Sequence, residues 1–128
     1  MSEPIVFISN QKIKEGKLEE YRALYREVVQ RVKESKPGTV AHLAYVDEAG
    51  TQASIVHVFV DAEAMEVHVQ DVDEAARRAA ELVEYAGFVI YGRPTSKTLE
   101  MMQRAAGGKI PLEVKSQPVG GYIRLQAA

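Results

Sequence analysis

The residues of this chain that could do chemistry are an asparagine at the end of an apolar run and three histidines. Asn10 follows Ile5–Ile8 closely, and an amide buried without a hydrogen-bond partner costs about 1–3 kcal/mol. It therefore either caps a strand end in solvent beside Gln11 and Lys12 or serves a ligand. His42, His57 and His68 are all the histidines present, and there is no cysteine. Imidazole titrates near pH 6.5, so each could take or give a proton at ordinary pH. Three together could also hold a metal ion. Thiolate catalysis, disulfides and cysteine-ligated clusters are excluded.

What these side chains can do depends on the elements that carry them. Ile5 to about Lys12 reads as a strand whose two faces both begin apolar (Ile5, Phe7, Ser9 and Val6, Ile8, Asn10). Coverage on both sides is the usual reason for such a pattern. Leu18, Tyr21, Leu24, Tyr25, Val28, Val29 and Val32 recur at three- and four-residue steps, which makes an amphipathic helix that Gly16 can open and Pro37-Gly38 stop. Thr39–Val46 and Gln52–Val60 then form a hairpin around Gly50. If Val46 faces Thr51, His42 and His57 are diagonal neighbours on one face, about 7 Å apart. If Asp47 faces Thr51, a one-residue shift sends them to opposite faces.

Asp61 is placed to cap a helix carrying Met65, His68 and Val69, with His68 one helical step beyond Ala64 and Met65 and so directed inward. The plain alternative is a hydrogen-bonded histidine at a helix–sheet boundary. The helix can break near Gln70–Asp73, where Asp71 or Asp73 could cap a second piece. Ala76, Ala79, Leu82 and Val83 would then face the core, and Phe88–Tyr91 would close the pattern as a last strand.

The order β-α-β-β-α-β is the split βαβ, or ferredoxin-like, plan. The expected fold class is α+β, an antiparallel sheet with helices on one face. A C-terminal extension should contain a helix capped by Thr95 or Ser96 and a hairpin of Ile110–Val114 and Gly121–Leu125. One domain is expected over 1–128. Residues 1–92 form its core, and 93–128 pack on that core or on a partner copy.

Composition narrows the function. Formal net charge is −2 with both signs interspersed, whereas phosphate-neutralising domains carry a basic excess, so no nucleic-acid partner is expected. The N-terminus lacks a basic flank, its apolar run is too short for a signal peptide, and no stretch approaches the ~20 residues of a membrane helix. The expectation is a cytoplasmic protein with no membrane association. No serine, histidine and aspartate spacing suggests a hydrolase, and Gly107-Gly108 and Gly120-Gly121 read as turns. Tyr21, Tyr25, Tyr45, Tyr85, Tyr91 and Tyr122 could line an aromatic pocket, although Tyr21 and Tyr25 are more simply core residues. Arg77 and Arg78 either hold an anion or form a solvated helix face.

Residues 5 to 92 resemble the antibiotic-biosynthesis-monooxygenase-like group of the dimeric α+β barrel superfamily. The resemblance is carried by Lys14-Glu15-Gly16-Lys17 before the first helix, by Pro37-Gly38, and by His57-Val58-Phe59-Val60-Asp61 followed by a helix with His68. It implies a homodimer with sheets packed face to face and a cleft in each subunit. It further implies oxygenation of an aromatic or quinol-like small molecule without cofactor or metal. His68 would be the catalytic base and Asn10 the catalytic hydrogen-bond donor. His57, Phe59, His42 and Tyr91 would contact substrate. The alternative is a non-catalytic homodimer that binds a small apolar ligand or a protein. The haem-degrading branch of the group shares only Asn10 of its three characteristic residues, so haem binding or degradation stands third.

Overall fold

The computed structural model describes residues 3–124. Its elements run β1 (Ile5–Ile13), α1 (Leu18–Ser35), β2 (Thr39–Val46), β3 (Gln52–Phe59), α2 (Ala62–Gln70), α3 (Glu74–Ala80), β4 (Val83–Tyr91), α4 (Ser96–Ala106) and β5 (Leu112–Lys115). They form one five-stranded sheet in the order β2-β3-β1-β4-β5. The first four strands pair antiparallel, as the ferredoxin-like plan requires, and β5 adds in parallel to β4.

Local chemistry sets the helix boundaries. The Asp61 carboxylate accepts from the Ala64 amide at 2.9 Å, and Asp73 accepts from Ala76 at 2.9 Å. Each satisfies a backbone donor that a helix start leaves free. The helical stretch after β3 thus divides where the two aspartates fall, with α2 ending at Gln70 and α3 starting at Glu74. Thr95 caps α4, and Gly107 ends it in the left-handed conformation (φ 58°), where glycine carries no Cβ penalty.

Two features depart from the sequence expectations. β4 begins at Val83 rather than Phe88, because a bulge opposite Asn10 and Gln11 absorbs an extra residue next to Gly87. The C-terminal extension is not a hairpin. The chain leaving α4 returns to the open edge of β4, where Leu112–Lys115 pairs with Phe88–Tyr91. Residues 116–124 form no strand, and Leu125 lies outside the described residues. Pro118 lacks the N–H that a returning ladder would need.

The helices cover one sheet face. Along β1 the inward row is Ile5, Phe7, Ser9, Gln11 and Ile13, all buried. Ile5 and Phe7 join Phe59, Met65, Phe88, Ile90, Met102 and Ala106 in one apolar cluster. Ile13 joins Tyr21, Leu24, Ala53, Leu82 and Val83 in another. Between the clusters the inward row turns polar, at Ser9 and Gln11. The other sheet face carries Val6, Ile8, Leu43, Tyr45, Val56, Val58 and Val89, with no helix over it among the described residues.

Candidate functional site

The gap between the two clusters is a cavity of about 410 Å³ between the sheet and the helices. Its floor is Ser9 and Gln11 on β1 with His42 and His57 on β2 and β3. Tyr21, Tyr25 and Val28 of α1 and His68 of α2 close it from the helix side, and Arg31, Lys36 and Arg77 stand among its lining residues.

The hairpin loop decides where two of the histidines go. The Asp47 carboxylate accepts from the Thr51 and Gln52 amides at 3.0 and 3.1 Å, and the Asp47 amide donates to the Gln52 carbonyl at 3.0 Å. These amides hold the carboxyl below its ordinary pKa. Asp47 therefore faces Gln52, one residue beyond the Asp47–Thr51 register and two beyond the Val46–Thr51 register anticipated from sequence. The result makes His42 and His57 direct cross-strand partners on the face that looks into the cavity.

His68 comes to meet them from α2. Ring centroids are 4.6 Å apart for His42 and His57, 5.1 Å for His57 and His68, and 5.5 Å for His42 and His68. All three histidines of the chain thus form one cluster, backed by Phe7 and Phe59, whose rings stack on His57. Each Nδ1 has a partner. His57 Nδ1 is 2.9 Å from the Phe7 carbonyl oxygen, which can only accept, so the proton sits on Nδ1 and the Nε2 lone pair is free. His42 Nδ1 is 2.8 Å from the Tyr25 hydroxyl, and His68 Nδ1 is 3.4 Å from the Thr39 hydroxyl.

Burial keeps these rings neutral. It pushes the His42 pKa down to about 4, helped by Lys36. It pushes His57 down to about 3, with His42 and Lys36 adding to the effect and the Phe7 bond opposing it. His68 falls to about 2, through burial and then His57, Lys36 and His42. Desolvation disfavours a charged ring, and neighbouring cations reinforce it. Lys36 itself donates to the carbonyls of His68 and Asp71 at 3.2 and 2.6 Å.

A second polar chain crosses the floor. The Tyr21 hydroxyl donates to Gln11 Oε1 at 2.8 Å, and Gln11 Nε2 donates to Ser9 Oγ at 3.4 Å. Burial pushes the Tyr21 phenol up to about 12, with Tyr85 contributing. Tyr25 also rises, through burial, Tyr21 and Tyr45. Both phenols are neutral hydrogen-bonding groups in the cavity wall.

Of the six site residues expected from sequence, His42, His57, His68 and Phe59 come together here. Asn10 and Tyr91 do not. Asn10 pairs with Ser54 on the opposite sheet face, where the Ser54 hydroxyl donates to Asn10 Oδ1 at 2.6 Å. Tyr91 is partly exposed on that same face, with the Lys115 ammonium 5.7 Å from its ring centroid. The reason is strand parity. β1 turns its odd-numbered residues inward, which brings Ser9 and Gln11 to the cavity in place of Asn10. Tyr91 occupies the outward-facing parity of β4, next to inward-facing Ile90. Ser9 and Gln11 are site residues that the sequence expectations did not include, and their signal is a polar pair inside an otherwise apolar alternate row.

The three histidines are the group in this site that could hold a metal ion, since one ring nitrogen from each lies within 4.8 Å of the others. None of the described helices is long and apolar enough to cross a membrane.

Comparison with known proteins adds to this geometry. The profile of the family described as "Antibiotic biosynthesis monooxygenase" matches residues 4–82. The fold is similar to that of MupZ from Pseudomonas fluorescens, with a TM-score of 0.72, 17% identity, and coverage of 98% of this chain and 100% of that one. A mutant of SnoaB, described as a cofactor-independent oxygenase from Streptomyces nogalater, gives 0.58 at 12% identity, covering 74% of this chain and 97% of that one. A conserved protein from Methanosarcina mazei Go1 gives 0.58 at 14% identity, with coverages of 72% and 93%. At such identities the likeness is one of fold. No curated protein matches the sequence.

Proposed function

The chain belongs to the antibiotic biosynthesis monooxygenase family, and from that membership and the cavity we propose that it is a cofactor-independent monooxygenase of an aromatic or quinol-like small molecule. The observation that carries this reading is the cavity itself. It has about 410 Å³ of mostly apolar space, of a size for a small polycyclic ring system. Three neutral imidazoles stand beside two phenols in its wall, next to the Gln11 chain of the floor. SnoaB, of similar fold, is described as a cofactor-independent oxygenase.

The chemistry needs no added electron source. Converting an activated ring methylene to a carbonyl gives up four electrons. O₂ accepts them, one oxygen entering the product and the other leaving as water. The protein has to remove a proton from the substrate so that the resulting anion can reduce O₂. His68 is the base expected from sequence, but His42 is the more firmly oriented ring, 2.8 Å from the Tyr25 hydroxyl, where His68 stands 3.4 Å from the Thr39 hydroxyl. We assign the proton to His42. A phenolate or enolate formed beside it reverses the burial penalty, because an opposite charge in contact favours the imidazolium. His57 and His68 hold and flank that ring, Gln11 and Tyr21 offer hydrogen bonds to substrate oxygen, and Phe59 backs the wall.

The same reading includes a homodimer, supported by the apolar sheet face that no helix covers among the described residues. Oxygen uptake with a panel of anthrones, dihydroxynaphthalenes and quinols tests the activity. Saturable uptake in chelator, lost in His42→Ala while the fold survives, is the expected result. Uptake no faster than the uncatalysed rate for every compound overturns it. Ligand-dependent stabilisation without turnover would identify instead a dimeric binding protein for the same compounds.

A further inference from the structure

We propose that His42, His57 and His68 form a binding site for a divalent first-row transition-metal ion of the zinc type, with its fourth coordination position open to the cavity. This inference goes beyond the oxygenase reading and rests only on the geometry of the cluster.

Three observations carry it. The rings converge, with one nitrogen from each inside a 4.8 Å span. Nitrogens around a tetrahedral zinc stand about 3.3 Å apart, given bonds of about 2.05 Å. Closing the span takes small ring rotations of His42 and His68, the two that are only half-buried, toward a fixed and buried His57.

The second observation is the outer partners. A ligating histidine usually directs its other ring N–H to a carbonyl, hydroxyl or carboxylate, which fixes its tautomer and orientation. Here each Nδ1 already meets such an oxygen, from Phe7, Tyr25 and Thr39. The Phe7 carbonyl fixes the His57 proton on Nδ1, and the Tyr25 and Thr39 hydroxyls can accept from the other two, a state that leaves each ring its Nε2 lone pair for an ion.

The third is the donor set. It is all imidazole, which suits zinc, cobalt, nickel and copper and disfavours magnesium and calcium, whose ligands are oxygens. Lys36, bonded to the His68 carbonyl, opposes a dication, although Asp71 and Asp73 lie beside it. With neutral ligands the ion keeps its charge, so the open position attracts hydroxide or an anionic oxygen of a ligand in the cavity. An ion seated on these nitrogens also takes the lone pair that the oxygenase reading needs on His42, so zinc would inhibit that reaction.

The test is titration of chelator-treated protein with Co²⁺ and then Zn²⁺, followed by calorimetry and by the visible absorption of four-coordinate cobalt. One ion per chain is expected, with the cobalt bands bleached by zinc. His42→Ala and His68→Ala should each weaken binding more than about tenfold, Tyr25→Phe by about tenfold, and Asn10→Ala on the opposite face not at all. Thermal melts in chelator establish that each variant is folded, and His68→Gln replaces any that is not. The absence of saturable binding, or binding that the histidine variants leave unchanged, overturns the proposal. Neither result depends on turnover, so failure of the oxygenase reading would leave the metal site standing, and the reverse.

Discussion

His42 and His57 face each other directly across the β2–β3 ladder, their rings edge to face with centroids 4.6 Å apart. This pairing follows from Asp47, whose carboxylate collects two loop amides and sets the loop length. A shift of one residue would move one histidine to the far face of the sheet and dissolve the cluster. The candidate site thus depends on an exposed aspartate some distance along the hairpin.

Acid should destabilise this protein early. The three histidines are depressed in the fold, to about 4, 3 and 2, against about 6.5 in the unfolded chain. Below pH ~6.5 the unfolded chain takes up protons that the folded one refuses, so stability is full above that pH and falls as pH drops toward ~4. Urea unfolding in chelator, followed between roughly pH 7.5 and 4.5, should show uptake approaching three protons. His68→Gln should flatten the slope by about one. A stability that stays constant down to the carboxylate range would mean that the rings are hydrated and freely titrating.

Tyr21→Phe removes the donor to Gln11 while keeping the ring. Gln11 Oε1 is then left buried beside Ser9, which should cost about 1–3 kcal/mol, read as a lower urea midpoint with an unchanged m-value. Tyr25→Phe should cost less, because His42 is half-buried and water can replace the lost partner. Equal losses would show that the Gln11 chain is reached by solvent.

Gly38 stands where the chain turns from α1 into β2, against α2. A Cβ there would lie 2.6 Å from the Ala64 Cβ, a contact that forces one backbone segment to move. Gly38→Ala should therefore destabilise by about 1–3 kcal/mol and displace the helix that carries His68. Pairing it with Ala64→Gly should recover much of the loss. An absence of recovery would place the cost in the Gly38 backbone rather than in the helix contact.

Periodicity and capping made most of the fold legible. The helical stripe from Leu18 to Val32, the Asp61 cap and the hairpin arms each dictate a local structure that the tertiary fold keeps. Legibility failed where a choice depended on partners distant in sequence. Both rows of β1 begin apolar, so only the packed helices reveal that Ser9 and Gln11 point inward and Asn10 outward. Val83–Gly87 was hidden by a bulge that local pattern does not announce. Ile110–Val114 carried a strand signal but no information about its neighbour, which proved to be β4 in parallel. His42 and His57 needed the hairpin register, which is set by the Asp47 side chain and not by the apolar pattern.

The uncovered sheet face gives the last prediction. Leu43 and Tyr45 are 48% and 63% exposed on β2, and they continue a row of outward-facing valines on β3 and β1. A contiguous apolar face of this kind marks an interaction surface, and a second copy of the chain presents the same face. An isologous contact would bring the two sheets together and bury Asn10 and Tyr91 between them, which gives those residues a place despite their distance from the cavity. Sedimentation should show a dimer of the unaltered protein and a monomer of the double variant Leu43→Asp with Tyr45→Lys. The monomer should melt at lower temperature and lose the concentration dependence of its melting point. A one-chain mass for the unaltered protein at high concentration would instead leave this face free for a different partner.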